Sequence, residues 1–347
     1  MYGSPNTVAG PRSVPVRRQF INEPGDIVSE ALEGFAAAWP HHVRLNDEPA
    51  YVARARPAAD KVAVVSGGGS GHEPLHVGFV GTGMLDAAVP GAVFASPTAV
   101  QIRDASMAAD TGRGVVHVVK NYTGDVLNFR IAGELLADEG VRSDIVLVDD
   151  DLATDTGDSG GPGRRGTAAV VAVEKVCGAA AERGADLEAL TALGRRVAAH
   201  SRTLSVALAA GAHPGQSSPS FELPGDEIEF GVGIHGERAR ERRAFGPTGE
   251  LVPQMVSPLV KALGLERGER VIAIVNGLGA THDLELYGVF GEVRRFLGGA
   301  GIDIARTLVG SYVTSLDMAG CSVTLVRADE EVLDLWDAPA ATPALTW

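Results

Sequence analysis

Residues 64–76 read VVSGGGSGHEPLH. A β-branched pair, Val64 and Val65, runs into three glycines and then into Ser70, His72 and Glu73. A strand that meets a glycine run marks a strand-to-turn feature where backbone comes close to a ligand or to another strand. A phosphate loop of the Walker kind needs more, a Gly-Lys-Ser/Thr ending in which lysine reaches the terminal phosphates and the hydroxyl holds magnesium. The lysines are Lys61, Lys120, Lys175 and Lys261, and none follows a glycine. A serine nucleophile at Ser70 would want Gly-x-Ser-x-Gly, whereas Gly68, Ser70 and Gly71 put the second glycine one position early. His72 has small neighbours that leave an imidazole open to a ligand; a hydrogen-bonded structural histidine is the alternative.

Outward from this stretch, short β-branched runs (VAVV, VVHVV, IVLV) alternate with longer segments of helical pattern, DVLNFRIAGELLADEG and GTAAVVAVEKVCGAAAERG. Such alternation implies α/β layering. A chain of 347 residues exceeds the roughly 100–200 of one domain. The expected architecture is therefore two α/β lobes, each a sheet flanked by helices. The first spans residues 1–200, ending with the helix that closes at GRRVAAHS, and the second spans residues 201–347. In the second, TLSVALAA, EIEFGVGI, VIAIVNGLG and CSVTLVRA read as strands, and LVPQMVSPLVKALG and LELYGVFGEVRRFLGG as helices. DTGDSGGPGRRG (155–166) and GAHPGQSSPS (211–220) read as exposed loops.

A net charge of −14 repels polyanions, and no Lys/Arg block suggests a nucleic-acid groove. The apolar runs are far shorter than the roughly 20 residues of a membrane span. The N-terminal stretch lacks the apolar core of a secretory signal and reads as a loose Pro/Gly/Ser tail. A cytoplasmic protein without nucleic-acid or membrane partners is expected. Cys177 and Cys321 sit in apolar patterned segments without a CxxC partner, and read as buried thiols of a reducing compartment.

Two further patches carry candidate chemistry. In VVHVVKNYTGDVLNF, Asp125 follows a buried-looking strand and opens a helix, either as an ordinary N-cap or as a carboxylate at the mouth of a site. In EIEFGVGIHGE, His235 ends an alternating strand between Gly233 and Gly236, unshielded by bulky neighbours; a structural strand-end histidine is again the alternative.

With these patches side by side, the chain resembles the dihydroxyacetone kinase family, specifically its substrate-binding K subunit. The resemblance rests on SGGGSGHEP, GMLDAAVPGAVFASPT, VKNYTGDVLNF, GRRGTAAVVAVEKVCGAAAERG, FELPGDEIEFGVGIHGE, VNGLGAT, LVGSYVTSLDMAG and LWDAPAATPAL, which together span nearly the whole chain. It implies that His235 adds covalently to the substrate's carbonyl carbon as a hemiaminal, that Asp125 is the general base, and that His72 hydrogen-bonds the substrate. It further implies that Gly69 supplies backbone contacts, that Ser96 lines the same site, and that Lys120 meets the incoming phosphoryl group. A small neutral triose offers little apolar area, so a covalent link supplies both affinity and discrimination from glycerol, which has no carbonyl.

The chain carries no nucleotide motif of its own. The resemblance places ATP or ADP with Mg2+ on a separate L-type subunit, recharged in phosphotransferase-dependent systems by an M-type subunit, and it implies a homodimer. A longer ketose such as erythrulose, or a ketose-sensing co-regulator of the same fold, are the alternative functions. The chain departs from the family pattern at Arg238, Ala239 and Arg240, where a Pro-Gly is usual, and at Ser217, Ser218, Pro219 and Ser220, where a Gly-Lys-Pro-Ser/Thr loop is usual.

Overall fold

A computed structural model describes residues 18–155, 163–216, 218–239 and 241–347. The N-terminal tail up to residue 17, most of the predicted 155–166 loop, Ser217 and Arg240 lie outside the described residues. Helix α1 (Ile27–Ala38) precedes a hairpin of β1 (Val43–Asp47) and β2 (Ala50–Arg54). There follow β3 (Ala63–Ser70), β4 (Ala87–Val93), α2 (Ala99–Ala109), β5 (Val115–Lys120), α3 (Thr123–Asp138), β6 (Ser143–Val148), α4 (Ala169–Glu182) and α5 (Leu187–Ala199). The second series is β7 (Ser201–Ala209), β8 (Glu227–Phe230), β9 (Glu241–Ala244), α6 (Thr248–Leu263), β10 (Arg270–Gly277), α7 (Asp283–Ala300), β11 (Asp303–Gly310), β12 (Ala319–Arg327) and α8 (Glu330–Trp336).

The strands form two six-stranded sheets, in the orders β1-β2-β4-β3-β5-β6 and β11-β10-β12-β7-β8-β9. In the first, β4, β3, β5 and β6 run parallel. In the second, only β10 and β11 are parallel and every other pair is antiparallel. The two α/β lobes expected from the sequence are present as two sheets flanked by helices, and a division of the chain at residue 200, between α5 and β7, is proposed on this arrangement.

Period-two alternation explains the layers. Ala63 and Val65 of β3, with Val115 and Val119 of β5, pack against Ile102 and Ala105 of α2 and Phe129 and Ala132 of α3. Their neighbours Val64, Val116 and Val118 face the other way, onto Val170, Val173 and Cys177 of α4. The same core takes in Ile272, Ile274 and Val326 of the second sheet, so α4 lies between the sheets. A helix whose buried residues are apolar on every side, save Glu174 and Lys175, suits that position. Helices α6 and α7 cover the far face of the second sheet through Val252, Met255, Val256, Val289 and Val293. The C-terminal segment returns over α4: Lys175 Nζ donates to the carbonyls of Leu335 (2.9 Å) and Ala338 (2.8 Å).

Two local expectations change. The glycine run does not follow a strand but lies inside one, since Gly67, Gly68 and Gly69 are all residues of β3. The stretch EIEFGVGI is a strand only as far as Phe230. Gly231 takes φ 96°, leaves the pleat, and donates its N–H to Ser205 O at 2.7 Å, so His235 stands on a turn beyond the strand.

Candidate active site

Chain direction in the first sheet locates the site. From β3 the chain passes to β4 on one side, then crosses back over β3 to β5 on the other. Crevices for ligands open outside the carboxyl ends of parallel strands where the strand order reverses. Those ends here are Gly68–Ser70 of β3 and Lys120 of β5.

His72, two residues beyond β3, is fully buried. Its Nδ1 lies 2.7 Å from Thr314 O. A carbonyl only accepts, so Nδ1 carries the proton and Nε2 is the bare nitrogen; Nε2 has no hydrogen-bond partner among the described residues. Burial, with His235 and Lys120 nearby, pushes the imidazole well below its ordinary pKa and keeps it neutral. Thr314 belongs to the β11–β12 connection of the second sheet, and the pairing is repeated by Leu316 N–H to Gly71 O at 2.7 Å.

His235 faces His72 with ring centroids 4.8 Å apart. Tyr122 stands edge-on to it at 4.4 Å and Phe94 at 5.4 Å. Glu237 binds the His235 backbone N–H through Oε2 at 2.9 Å and approaches Nδ1 through Oε1 at 3.4 Å. Burial alone would raise Glu237, but the hydrogen bond with His235 and the Arg165 guanidinium prevail and hold it below the usual carboxylate range. As a carboxylate it accepts, so Nδ1–H of His235 points at Glu237 and Nε2 is left with its lone pair. Arg165 is itself fixed by Asp151 (Nε to Oδ2, 2.8 Å) and by Gly231 O (3.1 Å).

Asp125 is the third residue of α3 and 2% exposed. The N-cap position belongs to Tyr122, so the capping alternative does not apply to Asp125. Its Oδ2 lies 4.0 Å from Lys120 Nζ, and its Oδ1 has no hydrogen-bond partner among the described residues. A carboxylate oxygen buried without a donor is costly unless something else is to bind there. Lys120 ends β5 with no exposure; burial lowers its pKa, against Asp125 and Glu174, which raise it. Gly69 backs onto the Phe94–Ala95 backbone, and the Ser96 hydroxyl packs against Gly124 at the start of α3, next to Asp125.

The six residues singled out in the sequence therefore fall into two joined clusters, His72 with His235 and Lys120 with Asp125, with Gly69 and Ser96 beside them. Sequence reasoning missed Glu237, Arg165, Tyr122, Phe94 and Thr314. Each lies inside a stretch that carried the resemblance: Glu237 two positions after His235, Tyr122 three before Asp125, Phe94 two before Ser96, Arg165 in GRRGT and Thr314 in SYVTS. A mostly apolar cavity of about 310 Å³ under Ile27, Leu32 and Phe35 of α1 borders the site at Gly68, Gly69 and His76, but none of His72, His235, Lys120 and Asp125 lines it. The polar cluster is the better candidate, because only it combines bare nitrogens with an unpartnered carboxylate oxygen.

Residues 33–344 match the Dak1 domain. The chain is 45% identical to the dihydroxyacetone-binding subunit of the PEP-dependent dihydroxyacetone kinase of Escherichia coli K12, over 95% of this chain and 99% of the relative. Among solved structures, a dihydroxyacetone kinase operon co-activator superposes with a TM-score of 0.86 at 32% identity, covering 91% of this chain and 97% of that one. The dihydroxyacetone kinase of C. freundii superposes with a TM-score of 0.84 at 33% identity, covering 94% of this chain and 60% of that one.

Proposed function

The chain belongs to the Dak1 domain family, and we propose that within it the chain is the dihydroxyacetone-binding subunit of a kinase whose phosphoryl donor sits on a partner subunit. The observation that carries this reading is the pair of facing imidazoles, each with its proton pinned away from the other. Neutral imidazole is a competent nucleophile toward an activated ketone. The Nε2 lone pair of His235 bonds to the carbonyl carbon, the C=O π pair moves onto oxygen, and that oxygen takes a proton from water. The imidazolium so formed keeps Nδ1–H against the Glu237 carboxylate, which matches its charge. His72 Nε2 accepts a hydrogen bond from a substrate hydroxyl, and Gly69 and Ser96 complete the wall.

Asp125 takes the proton of the hydroxyl to be phosphorylated, through its unpartnered Oδ1, and the Lys120 ammonium meets the incoming phosphoryl group. ATP or ADP with Mg2+ is proposed on an L-type partner, with an M-type subunit as the source of phosphoryl groups where the system depends on phosphotransfer. The near-complete coverage of the E. coli subunit supports the separate-subunit reading. A homodimer in the cytoplasm fits the same picture; among the described residues no helix is long and apolar enough to cross a membrane.

The likeness to an operon co-activator supports a second reading, a ketose-sensing regulator. The Asp125–Lys120 pair favours catalysis, since capture of a ketose requires neither. Intact-mass spectrometry after trapping with dihydroxyacetone, and again with erythrulose, should show one adduct, lost in His235→Ala. Turnover should require an added L-type subunit. An adduct that persists in His235→Ala removes the nucleophile; an adduct in the parent protein without turnover in the complete system selects the sensor.

A further inference from the structure

Behind the site wall, between β3, β5 and α4, runs a chain of buried polar groups of which the catalytic reading uses only Lys120. Lys120 Nζ lies 2.8 Å from His76 Nε2. His76 Nδ1 lies 2.6 Å from Glu174 Oε1 and 3.0 Å from Ser66 Oγ. Lys120, Glu174 and Ser66 have no exposure and His76 has 5%. An ammonium has only donors, so His76 Nε2 must accept, which leaves the ring proton on Nδ1. Ser66 spends its own proton on Val118 O at 2.7 Å, so toward His76 it offers only a lone pair. The Glu174 oxygen is likewise the acceptor. The tautomer of His76 is thus dictated from both ends.

The consequence lies at the other end of Lys120. An ammonium beside a carboxylate in a dry site ordinarily closes to about 2.8 Å, yet Lys120 Nζ stands 4.0 Å from Asp125 Oδ2 and 2.8 Å from His76. The titratable groups around Lys120 are Asp125 from α3, Glu174 from α4, and His76 and His72 from the segment after β3. Among the described residues, His76 is the one of these in hydrogen-bond contact with it.

We infer that His76, locked in its Nδ1–H tautomer by Glu174, is a positioning residue that holds the Lys120 ammonium off Asp125, leaving the carboxylate free as a base and the ammonium turned to the phosphoryl group. Burial supports the neutral ring by pushing His76 well below its ordinary pKa. Burial also lifts Glu174 to about 8, and in either protonation state Oε1 retains the lone pair that Nδ1–H needs.

The inference rests on the kinase reading, and its test separates the two. In the complete system with an L-type subunit, Mg-ATP and dihydroxyacetone, His76→Leu should lower kcat about 100-fold, the usual consequence of a misplacement of about 1 Å. Its adduct yield at His235 should match the parent protein. With Lys120 collapsed onto it, Asp125 becomes a weaker base, so the acid limb of the residual kcat profile should move to lower pH. His76→Gln, whose side-chain oxygen can accept from Lys120, should restore most of the rate. Parent kcat and pH profile in His76→Leu, or no recovery in His76→Gln, would overturn the inference. If His76→Leu does not fold, 15N spectra of histidine-labelled parent protein decide: an Nδ1–H tautomer is expected for the ring that His76→Gln removes, and Nε2–H overturns the lock. A parent protein that forms neither adduct nor product defeats the kinase reading instead, while the ring tautomer still reports on the lock.

Discussion

Gly68 is the position where one methyl group tests the site most directly. A Cβ built on Gly68 would lie 2.5 Å from Lys120 Nζ, 3.5 Å from His76 Nε2 and 3.6 Å from Asp125 Oδ2. Non-bonded carbon contacts settle at about 3.5–4.0 Å, so the ammonium must retreat by roughly 1 Å. Strand β3 is restrained from giving way instead, because Gly68 is in register with Pro90 of β4 and the strand just before it, up to Ser66, is paired with β5. The folded state should lose about 1–3 kcal/mol, as overpacked cores do, while kcat in the complete system falls about 100-fold through the displaced Lys120. Adduct formation at His235 should persist, since none of the three atoms met belongs to it. Gly67→Ala is the control: its Cβ would meet Val89 O at 2.5 Å, a backbone atom of β4, without touching Lys120. It should cost comparable stability in a urea melt yet keep the rate per folded molecule. A Gly68→Ala protein with parent kcat, or with a rate loss no larger than that of Gly67→Ala, would refute the assignment of Lys120 to the reacting end of the site.

Asp125→Asn keeps the volume of the side chain but cannot take up the hydroxyl proton, so turnover in the complete system should fall at least about 100-fold with adduct yield unchanged; a near-normal rate would remove Asp125 as the base. His117, in β5, has no exposure and its Nδ1 has no hydrogen-bond partner among the described residues, and burial lowers it to about 4. It is neutral in the fold and takes up a proton on unfolding, so the stability present above its unfolded value of about 6.5 is lost as pH falls through about 4. His117→Gln should therefore shrink the difference in unfolding free energy between pH 7 and pH 5 by about 2 kcal/mol; an unchanged difference in urea titrations at the two pH values would show that the imidazole already titrates in the fold.

Near neighbours in sequence decided much of this protein. The β-branched runs of β3, β5 and β6 and the helical pattern of α3 and α4 declared an α/β chain, because the period of burial is a local property of strand and helix. His72, Asp125 and His235 were legible because each lies in its own contiguous motif. Tertiary structure decided their states. His72 is a bare acceptor only because Thr314, 242 positions away, holds its proton; His76 owes its tautomer to Glu174, 98 positions away. Asp125 could read as a cap until Tyr122 was seen to hold the N-cap position, and the glycine run could read as a turn until Lys120 and Val89 occupied the space of the missing side chains. Propensity and periodicity depend on residues a few positions apart, whereas protonation, orphaned lone pairs and the room left by a glycine depend on burial and on partners that only the closed fold brings near.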